Sequence, residues 1–545
     1  MDGSVSTGSP AWWRGAVIYQ IYLRSFCDTN GDGIGDLPGV LARLDYLARL
    51  GVDAVWLTPF FPSPMRDFGY DVANYTDVDP VYGTLADFDA VLARAHGLGL
   101  KVFIEQVWSH TSDEHPWFTV SRQDRTNGHA DWYIWADPRP DGTAPNNWLA
   151  VFGGAAWTWE PRRRQYYLHH FLSAQPALNL RHPAVEQALF EAARFWLDRG
   201  VDGFRLDAVD WMFHSPSLAD NPPAPPGPIP TKPFAMQLHQ HDLMHGDTLG
   251  FLERIRKLMN AYPGTATLGE LSSQEGAFAR VRAYTQPHRL DMAYTLKFMR
   301  GALSAETLRH ALSDEPSSDH PGWPCWAFSN HDTERAISRW NPRATSGEEP
   351  PEAFGRLLAG LLISLRGSVC LYQGEDLALP EARLAYADLQ DPFGLTYWPT
   401  FAGRDGGRTP MPWEAGEPGV GFTDGKAWLP VPEEHRRRAA GTQELQPTSA
   451  LRMWRHALAF RKAHPALIHG ELTWLDGDGP LVAWIRSTGE EQLMCVFNLT
   501  DAPAGFEVAQ AVRQIWMPLE AASPPDPTAG TWTVPPYGVM FLALA

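Results

Sequence analysis

Eight short apolar runs alternate with longer amphipathic stretches along this chain of 545 residues, and this alternation restricts its fold more than any other feature. The runs are rich in β-branched and aromatic residues, which favours strands, whereas apolar residues recur at three- and four-residue spacing between them, which favours helices. Eight strand–helix pairs predict an α/β protein with a closed (β/α)8 TIM barrel. The predicted strands lie within 16–22, 54–60, 101–107, 203–209, 266–271, 290–296, 324–330 and 368–374.

Uneven spacing between these pairs predicts where further domains are attached. About seventy residues rich in Trp, Tyr and Asp separate the third strand from its helix near Pro183, which is too long for a plain loop and indicates a small inserted domain. Strand-like runs without helical period end the chain and predict a C-terminal antiparallel β-sandwich. The predicted bounds are 1–107 and 179–469 for the barrel, with an irregular insertion near 378–447, then 108–178 for the inserted domain and 470–545 for the C-terminal domain.

Charge and cysteine content exclude several classes of partner. The formal net charge of −18 repels nucleic acid and anionic membranes, so a neutral small substrate fits better. The four cysteines have no CxxC spacing, which argues against a zinc site or a disulfide scaffold and favours buried thiols: Cys27, Cys325, Cys370 and Cys495. The N-terminal residues have no signal-peptide pattern and no stretch is long enough to span a membrane, so we expect a cytoplasmic protein.

Acidic residues occur where three of the predicted barrel strands end. Asp207 ends the fourth strand, Glu270 ends the fifth and Asp332 follows the seventh. Active sites of such barrels lie at the carboxyl ends of the strands. Glycosidic cleavage with retention needs a nucleophilic carboxylate and a carboxylic acid roughly 5–5.5 Å apart, which neighbouring strands can supply. A single acid in such a position is often only a helix cap, but three together favour catalysis.

The predicted fourth strand also carries an arginine that bears on this chemistry. Arg205 lies two residues before Asp207, so the two side chains share one side of the strand, and we expect Arg205 to keep Asp207 ionised. Glu270, next to an ionised Asp207, is expected to stay protonated enough to act as an acid. Asp332, across the opening from this pair, would bind sugar hydroxyls and stabilise a positively charged transition state.

The strings GFRLDAV, TLGELSS and SNHD, with SHTS after the third strand, resemble the α-amylase superfamily, glycoside hydrolase family 13, and within it the bacterial α-glucosidases. The resemblance extends from YQIYLRSF through the C-terminal domain. It implies that Asp207 is the nucleophile, Glu270 the general acid/base and Asp332 the transition-state stabiliser. It further implies that Asp71 and Arg404 close the pocket, making the enzyme exo-acting, and that the non-reducing glucose is bound by Tyr70, Asp71, His110, Arg205, His331 and Arg404.

The same resemblance implies a substrate. Ala208, directly after the nucleophile, goes with α-1,4 linkages in relatives, and the proline-rich segment 212–248 resembles a loop that narrows the acceptor side. A maltose-like oligosaccharide is therefore the expected partner, with transfer to other hydroxyls and a monomer or small homo-oligomer as the working form. Two alternatives stay open: a sucrose- or maltose-acting glucosyltransferase or isomerase, either trehalose synthase-like or isomaltulose-forming, and a non-catalytic maltase-like transporter subunit. The three carboxylates speak against the second, and also against a simple carbohydrate-binding module.

An acidic loop near the N-terminus indicates a cation site. The string DTNGDGIGD presents an all-oxygen donor set suited to Ca²⁺ or Mg²⁺, formed by the side chains of Asp28, Asn30, Asp32 and Asp36 and the carbonyl of Ile34. An EF-hand would need a glutamate at loop position twelve, where this chain has Gly39. Matching loops in the resembling family hold a cation, so we expect a structural Ca²⁺ or Mg²⁺ and no organic cofactor. A metal-free series of Asx turns is the alternative.

Three positions depart from the family pattern: Leu23 stands in place of Pro, and Glu105 and Ala177 each stand in place of Asp. Glu105 precedes His110 by five residues. Its extra methylene group would either displace the network that aims Arg205 and Asp207 or be accommodated by it.

Overall fold

The computed structural model describes residues 11–273, 276–313, 322–475, 480–517 and 524–545. Each of the eight predicted runs contains a strand of one parallel sheet. Nearly all residues of these strands are buried, as expected where both faces of a parallel sheet are covered. The strands are β1 Val17–Ile21, β2 Ala54–Leu57, β3 Lys101–Gln106, β4 Gly203–Leu206, β5 Ala266–Leu271, β6 Met292–Thr295, β7 Cys325–Trp326 and β8 Ser368–Tyr372.

The sheet closes almost completely into the predicted barrel. Its spatial order is β7-β8-β1-β2-β3-β4-β5-β6, and a parallel bridge between Ala293 and Pro324 joins β6 to β7. Pro324 directly precedes β7 and has no N–H to donate, which limits the ladder on this side.

One long helix follows each barrel strand. The first begins at the cap Asp36, which accepts from the Gly39 amide at 2.6 Å, and ends at Gly51 in the left-handed conformation (φ 95°). The eight helices are Leu37–Leu50, Leu85–Gly97, Pro183–Arg199, Asp247–Met259, Ala277–Tyr284, Ala305–Ser313, Glu352–Ser364 and Ala450–Ala463. Shorter α-helices are Pro116–Ser121, Ala336–Arg339, Pro392–Tyr397, Glu433–Arg437, Ala440–Glu444 and Pro465–His469.

A small antiparallel sheet is inserted between β3 and the helix Pro183–Arg199, as predicted. It is built from Trp135–Ala136, Gln165–Leu168 and Trp157–Glu160, in that spatial order. Trp148 and Trp157 lie in its core, with ring centroids 6.1 Å apart. The exact bounds of this domain, of the barrel and of the C-terminal domain stay predictions.

The C-terminal residues form two antiparallel sheets, which confirms the predicted C-terminal β domain. The larger sheet has the order Glu471–Leu475, Leu481–Ser487, Gln492–Asn498, Val539–Leu544, Val512–Trp516, and the smaller pairs Ala504–Glu507 with Thr531–Val534. Alternate residues of the strand Gln492–Asn498 face different clusters: Val496 packs with Trp532 of the smaller sheet, and Phe497 belongs to the large core shared with the barrel.

Two long segments lie near the mouth of the barrel and are irregular, as predicted. The segment 212–248 contains the 3-10 turn Pro233–Met236, and the segment 378–447 contains short helices joined by loops. All four cysteines are buried and free, as expected. No described helix is both long enough and apolar enough to cross a membrane.

Candidate active site

The carboxyl ends of β4 and β5 bring two of the predicted carboxylates onto one guanidinium group. Leu206 pairs with Gly269 in the register, so Asp207 and Glu270 occupy the next position of each chain. Arg205 Nη1 donates to Asp207 Oδ1 at 2.6 Å, and Arg205 Nη2 lies 2.8 Å from Glu270 Oε2. Glu270 Oε2 also accepts from the Ala208 amide at 3.2 Å. Both carboxylates are therefore held in place by groups at the end of β4.

Arg205 is fully buried and is the centre of a wider network. It pairs with Glu105 of β3, its neighbour in the register, and donates from Nη2 to Tyr294 Oη of β6 at 2.6 Å. Its guanidinium carbon lies 4.7 Å from the Trp56 ring, and Trp56 Nε1 donates to Glu105 Oε2 at 2.6 Å. The glutamate at position 105 is thus accommodated, and its longer side chain reaches both Arg205 and Trp56.

Burial changes the protonation expected for the candidate nucleophile. It raises the pKa of Asp207 to about 7, while Arg205 lowers this pKa and the neighbouring Glu270 raises it. Arg205 opposes the effect of burial on the pKa of Asp207 without cancelling it, and the expectation that Arg205 keeps Asp207 ionised stays a prediction.

Asp332 lies at the other side of the opening, in a cationic environment. Its Oδ1 accepts from Arg404 Nη1 at 3.0 Å and from Arg408 Nη2 at 2.7 Å. Burial alone would raise the pKa of Asp332, but attraction from His331 when its ring is protonated, and from Arg404 and Arg408 at any pH, holds it well below its usual range. Burial lowers the pKa of His331 to about 3, so its ring is neutral near pH 7 and the two arginines supply the attraction. Asp332 is therefore a permanent carboxylate in the site.

The structure corrects the predicted pairing that closes the pocket. Arg404 Nη2 donates to Asp67 Oδ1 at 2.8 Å and to Asp391 Oδ1 at 2.7 Å. Asp71 accepts instead from Ser63 Oγ at 2.9 Å and from the Asp67 amide at 3.0 Å. The carboxylate of Asp71 stabilises its own turn, so Asp67 and not Asp71 meets Arg404.

The remaining predicted residues supply rings and free polar atoms. Tyr70 stacks on His331 with ring centroids 5.2 Å apart and planes 6° from parallel. Tyr70 Oη and His331 Nε2 are buried and have no hydrogen-bond partner among the described residues. His110 Nε2 bonds the Tyr70 carbonyl at 3.0 Å, and burial lowers the pKa of His110 to about 4. These neutral groups suit sugar hydroxyls better than a charged ligand.

The sequence analysis missed six residues of this network: Trp56, Asp67, Gln175, Tyr294, Asp391 and Arg408. Gln175 Nε2 donates to Asp67 Oδ2 at 3.0 Å and contacts His110 Nε2 at 3.2 Å. Only Arg408 had a clear signal, since it follows Arg404 by four residues in the string GRDGGRTPMPW. Asp391 precedes a proline and accepts from the Phe393 amide at 3.1 Å, so from the sequence it resembles an ordinary helix cap.

The predicted cation loop is folded through contacts of its own. Asp28 accepts from the amides of Asn30, Gly31 and Gly33 at 3.0, 2.9 and 2.8 Å. Asn30 Oδ1 accepts in turn from the Asp32 amide at 2.9 Å. These are the bonds of successive Asx turns. No group of three or more His, Cys, Asp or Glu side chains that could hold a metal ion occurs in the described part of the chain, and the Ca²⁺ or Mg²⁺ site stays a prediction.

Comparisons with known proteins indicate the family to which the chain is related. A family model described as the α-amylase catalytic domain matches residues 20–470. A probable α-glucosidase of Rhizobium meliloti is 52% identical over 505 residues, covering 91% of each chain. An oligo-1,6-glucosidase of Parageobacillus thermoglucosidasius is 33% identical, covering 91% of this chain and 92% of its own. The crystal structure of an α-glucosyl transfer enzyme, XgtA, superposes with a TM-score of 0.93 at 49% identity, covering 98% of this chain and 100% of that one.

The family match covers most of the barrel, and these relatives align along nearly their whole length. Together with the carboxylates at the ends of β4 and β5, they confirm the resemblance that the sequence motifs indicated. They also exclude the non-catalytic alternative. The chain therefore belongs to the α-amylase family, glycoside hydrolase family 13, and is a glycoside hydrolase of the glucosidase type.

Proposed function

We propose that the protein is a retaining, exo-acting α-glucosidase that removes glucose from short α-1,4-linked oligosaccharides such as maltose and also transfers it to other hydroxyls. The observation that carries the proposal is the contact of one buried guanidinium, that of Arg205, with both Asp207 and Glu270. A double displacement needs two carboxyl groups close together, and β4 and β5 are neighbouring strands.

In the first step of the proposed mechanism, ionised Asp207 attacks the anomeric carbon while Glu270 gives its proton to the departing glycosidic oxygen. In the second step, Glu270, now a carboxylate, takes a proton from water or from a sugar hydroxyl, and that oxygen displaces Asp207. Two inversions give retention. The permanent carboxylate of Asp332 would stabilise the positive charge that develops on the sugar ring.

The contact between Asp67 and Arg404 supports exo-action. An ion pair from two different loops, braced by Asp391 and Gln175, forms a wall that a longer chain at the non-reducing end would have to break. Buried pairs of this kind are expensive to open, because each charge would lose its partner. A pocket with a fixed end admits one sugar unit.

The proposal also specifies which glycosidic linkage is cleaved and which acceptor receives the glucose. Ala208 supports α-1,4 specificity by resemblance, and its left-handed backbone (φ 44°) disfavours the β-branched valine that goes with α-1,6 relatives. The likeness to an α-glucosyl transfer enzyme supports transfer. The alternative is an isomerase of the trehalose synthase or isomaltulose-forming type, in which the acceptor is the sugar just released. Cytoplasmic location and a monomer or small homo-oligomer stay predictions.

The test is turnover of maltose, isomaltose and sucrose, with products separated by chromatography and their anomeric form followed by NMR. We expect α-glucose first, roughly a 10³-fold or greater loss of kcat in Asp207→Ala and Glu270→Gln, and transfer products at high maltose. Asp220→Asn, at an exposed pair with Arg139, is the matched control and should keep full activity. β-Glucose as first product, or a Glu270→Gln variant with normal rates, would reject the mechanism. Trehalose or isomaltulose as main product would favour the isomerase.

A further inference from the structure

Two cations near the mouth of the barrel have no ion partner among the described residues. Lys232 lies in the proline-rich segment 212–248, and Arg300 lies in the turn that follows β6. The inner arginines of the site, by contrast, all contact carboxylates: Arg205 pairs with Asp207, and Arg404 and Arg408 pair with Asp332.

A chain of contacts places Lys232 beside the pocket wall. Its Nζ lies 4.0 Å from the ring centroid of Phe393 and 3.7 Å from that of Phe401. Phe393 packs on Phe152 at 4.7 Å, and the Phe152 ring lies 5.1 Å from the guanidinium carbon of Arg404. The aromatic rings hold the ammonium group in place but do not neutralise it.

Arg300 approaches the site from the end of β6. β6 ends at Thr295, which pairs with Leu271 directly after Glu270, so the turn carrying Arg300 starts beside the candidate acid/base. Its side chain reaches solvent, yet protein surrounds it enough for burial to lower its pKa, which the charges of Glu270 and Asp332 raise. Arg300 is therefore on the side of the site where the leaving group departs.

The two cations also act on each other. Burial lowers the pKa of Lys232 to about 8, and among charged groups Arg300 lowers it most, followed by Arg404. Asp391 and Asp332 oppose this shift, but both already contact Arg404. Two like charges in a partly desolvated opening repel each other, and an anion between them would relieve that repulsion.

We propose that Lys232 and Arg300 form an acceptor-side subsite for an anionic group, so that the enzyme acts on α-glucosides whose aglycone carries a carboxylate or a phosphate. The proposal rests on the proposed glucosidase function. The buried pocket for the glucose unit is lined by neutral groups and closed ion pairs, whereas the outer subsite presents two unpaired cations. An aglycone with one negative charge would interact with both cations.

The experiment compares maltobionate with maltitol, two open-chain glucosides that differ by a carboxylate in place of a hydroxymethyl group. In the wild type we expect kcat/KM to favour maltobionate by about tenfold, the scale of a charge-assisted hydrogen bond. Lys232→Met and Arg300→Met should each bring this ratio close to one, while kcat/KM for maltitol changes less than about twofold. Lys232→Arg keeps the positive charge and should therefore keep the wild-type ratio. Lys297→Met, which removes a cation that lies over Phe278 on the same turn as Arg300, is the matched control and should keep it.

A second experiment tests phosphate as the anionic group. It also distinguishes a failure of the proposed subsite from a failure of the proposed glucosidase function. Glucose 6-phosphate should inhibit maltose hydrolysis more strongly than glucose in the wild type but not in the two Met variants. Equal kcat/KM for maltobionate and maltitol, together with equal inhibition by both sugars, would overturn the subsite while leaving the glucosidase intact. If the wild type hydrolysed neither glucoside, the proposed function would fail, and calorimetry with glucose 6-phosphate on wild type and Lys232→Met would still decide the subsite.

Discussion

Three fully or almost fully buried arginines organise the site at the residue scale. Arg205 serves the candidate nucleophile and acid, while Arg404 and Arg408 serve Asp332. Removing one member of a buried charge pair leaves the other uncompensated, which costs roughly 3–5 kcal/mol. The same burial that makes these pairs strong also determines which carboxylates are ionised, and this leads to a pH dependence.

The raised pKa of Asp207 predicts that kcat/KM falls when the pH drops below about neutral. Because Asp207 must be ionised to attack, kcat/KM for maltose should level off above an apparent pKa of about 7 and fall about tenfold per pH unit below it. Steady-state rates from about pH 5 to 8.5 at constant ionic strength measure it. A plateau that extends to the acid end of this range would contradict the effect of burial.

Glu105 gives a second prediction at this scale. Its carboxylate reaches both Arg205 and Trp56 Nε1, and Glu105→Asp shortens the side chain by one methylene group. We expect kcat/KM to fall by roughly tenfold because Arg205 then aims Asp207 less accurately. Thermal unfolding should change little, since the buried carboxyl group remains. Glu105→Gln, which keeps the length but not the charge, is the control for electrostatics. Wild-type rates in Glu105→Asp would show that the longer residue has no positioning role.

The sequence predicted the acidic residues next to strand ends and missed two acidic residues that come from irregular segments. Asp207 and Glu270 could be found because a strand end fixes both the position and the direction of the next side chain. Asp67 and Asp391 come from irregular segments, where sequence spacing does not determine direction. The choice of Asp71 in place of Asp67 is an example, since the two lie four residues apart in one turn.

At the scale of elements, apolar runs predicted all eight barrel strands, but not their lengths. The run at 324–330 contributes only the two residues Cys325–Trp326 to the sheet. The contact of Lys232 with Phe393 and Phe401 joins two segments that are distant in sequence and have no periodicity, so no pattern in the chain indicates it.

The acidic loop before the helix Leu37–Leu50 carries the prediction of a cation. Bound Ca²⁺ or Mg²⁺ stabilises only the folded state, so dialysis against EDTA should lower the melting temperature by roughly 2–4 °C and added cation should restore it. Asp32→Asn changes an exposed ligand of the predicted set and should abolish this response without lowering the melting temperature of the metal-free protein. If EDTA, Ca²⁺ and Mg²⁺ all leave the melting temperature unchanged, the loop is the metal-free series of Asx turns.

At the scale of the whole molecule, the C-terminal domain is fastened to the barrel through buried polar bonds as well as apolar packing. Arg486, on the strand Leu481–Ser487, donates from Nη1 to the Ser364 carbonyl at 2.9 Å, at the end of the helix before β8. Arg461 donates to the Leu365 carbonyl at 2.9 Å, one residue further on. Both arginines are fully buried, so this helix end and the start of β8 depend on side chains from outside the sheet.

Arg486→Met should therefore weaken the whole fold while leaving the chemistry intact. The substitution leaves the buried carbonyls of Ser364 and Gly470 without this donor, at about 1–3 kcal/mol each, which corresponds to a melting temperature several degrees lower. Because the active site lies at the opposite, carboxyl ends of the strands, kcat for maltose at 25 °C should stay within about twofold of the wild type. Arg513→Met, on an exposed position of the same domain, is the control for loss of an arginine. A loss of kcat without a change in melting temperature would mean that the C-terminal domain acts on the site directly and not as a support.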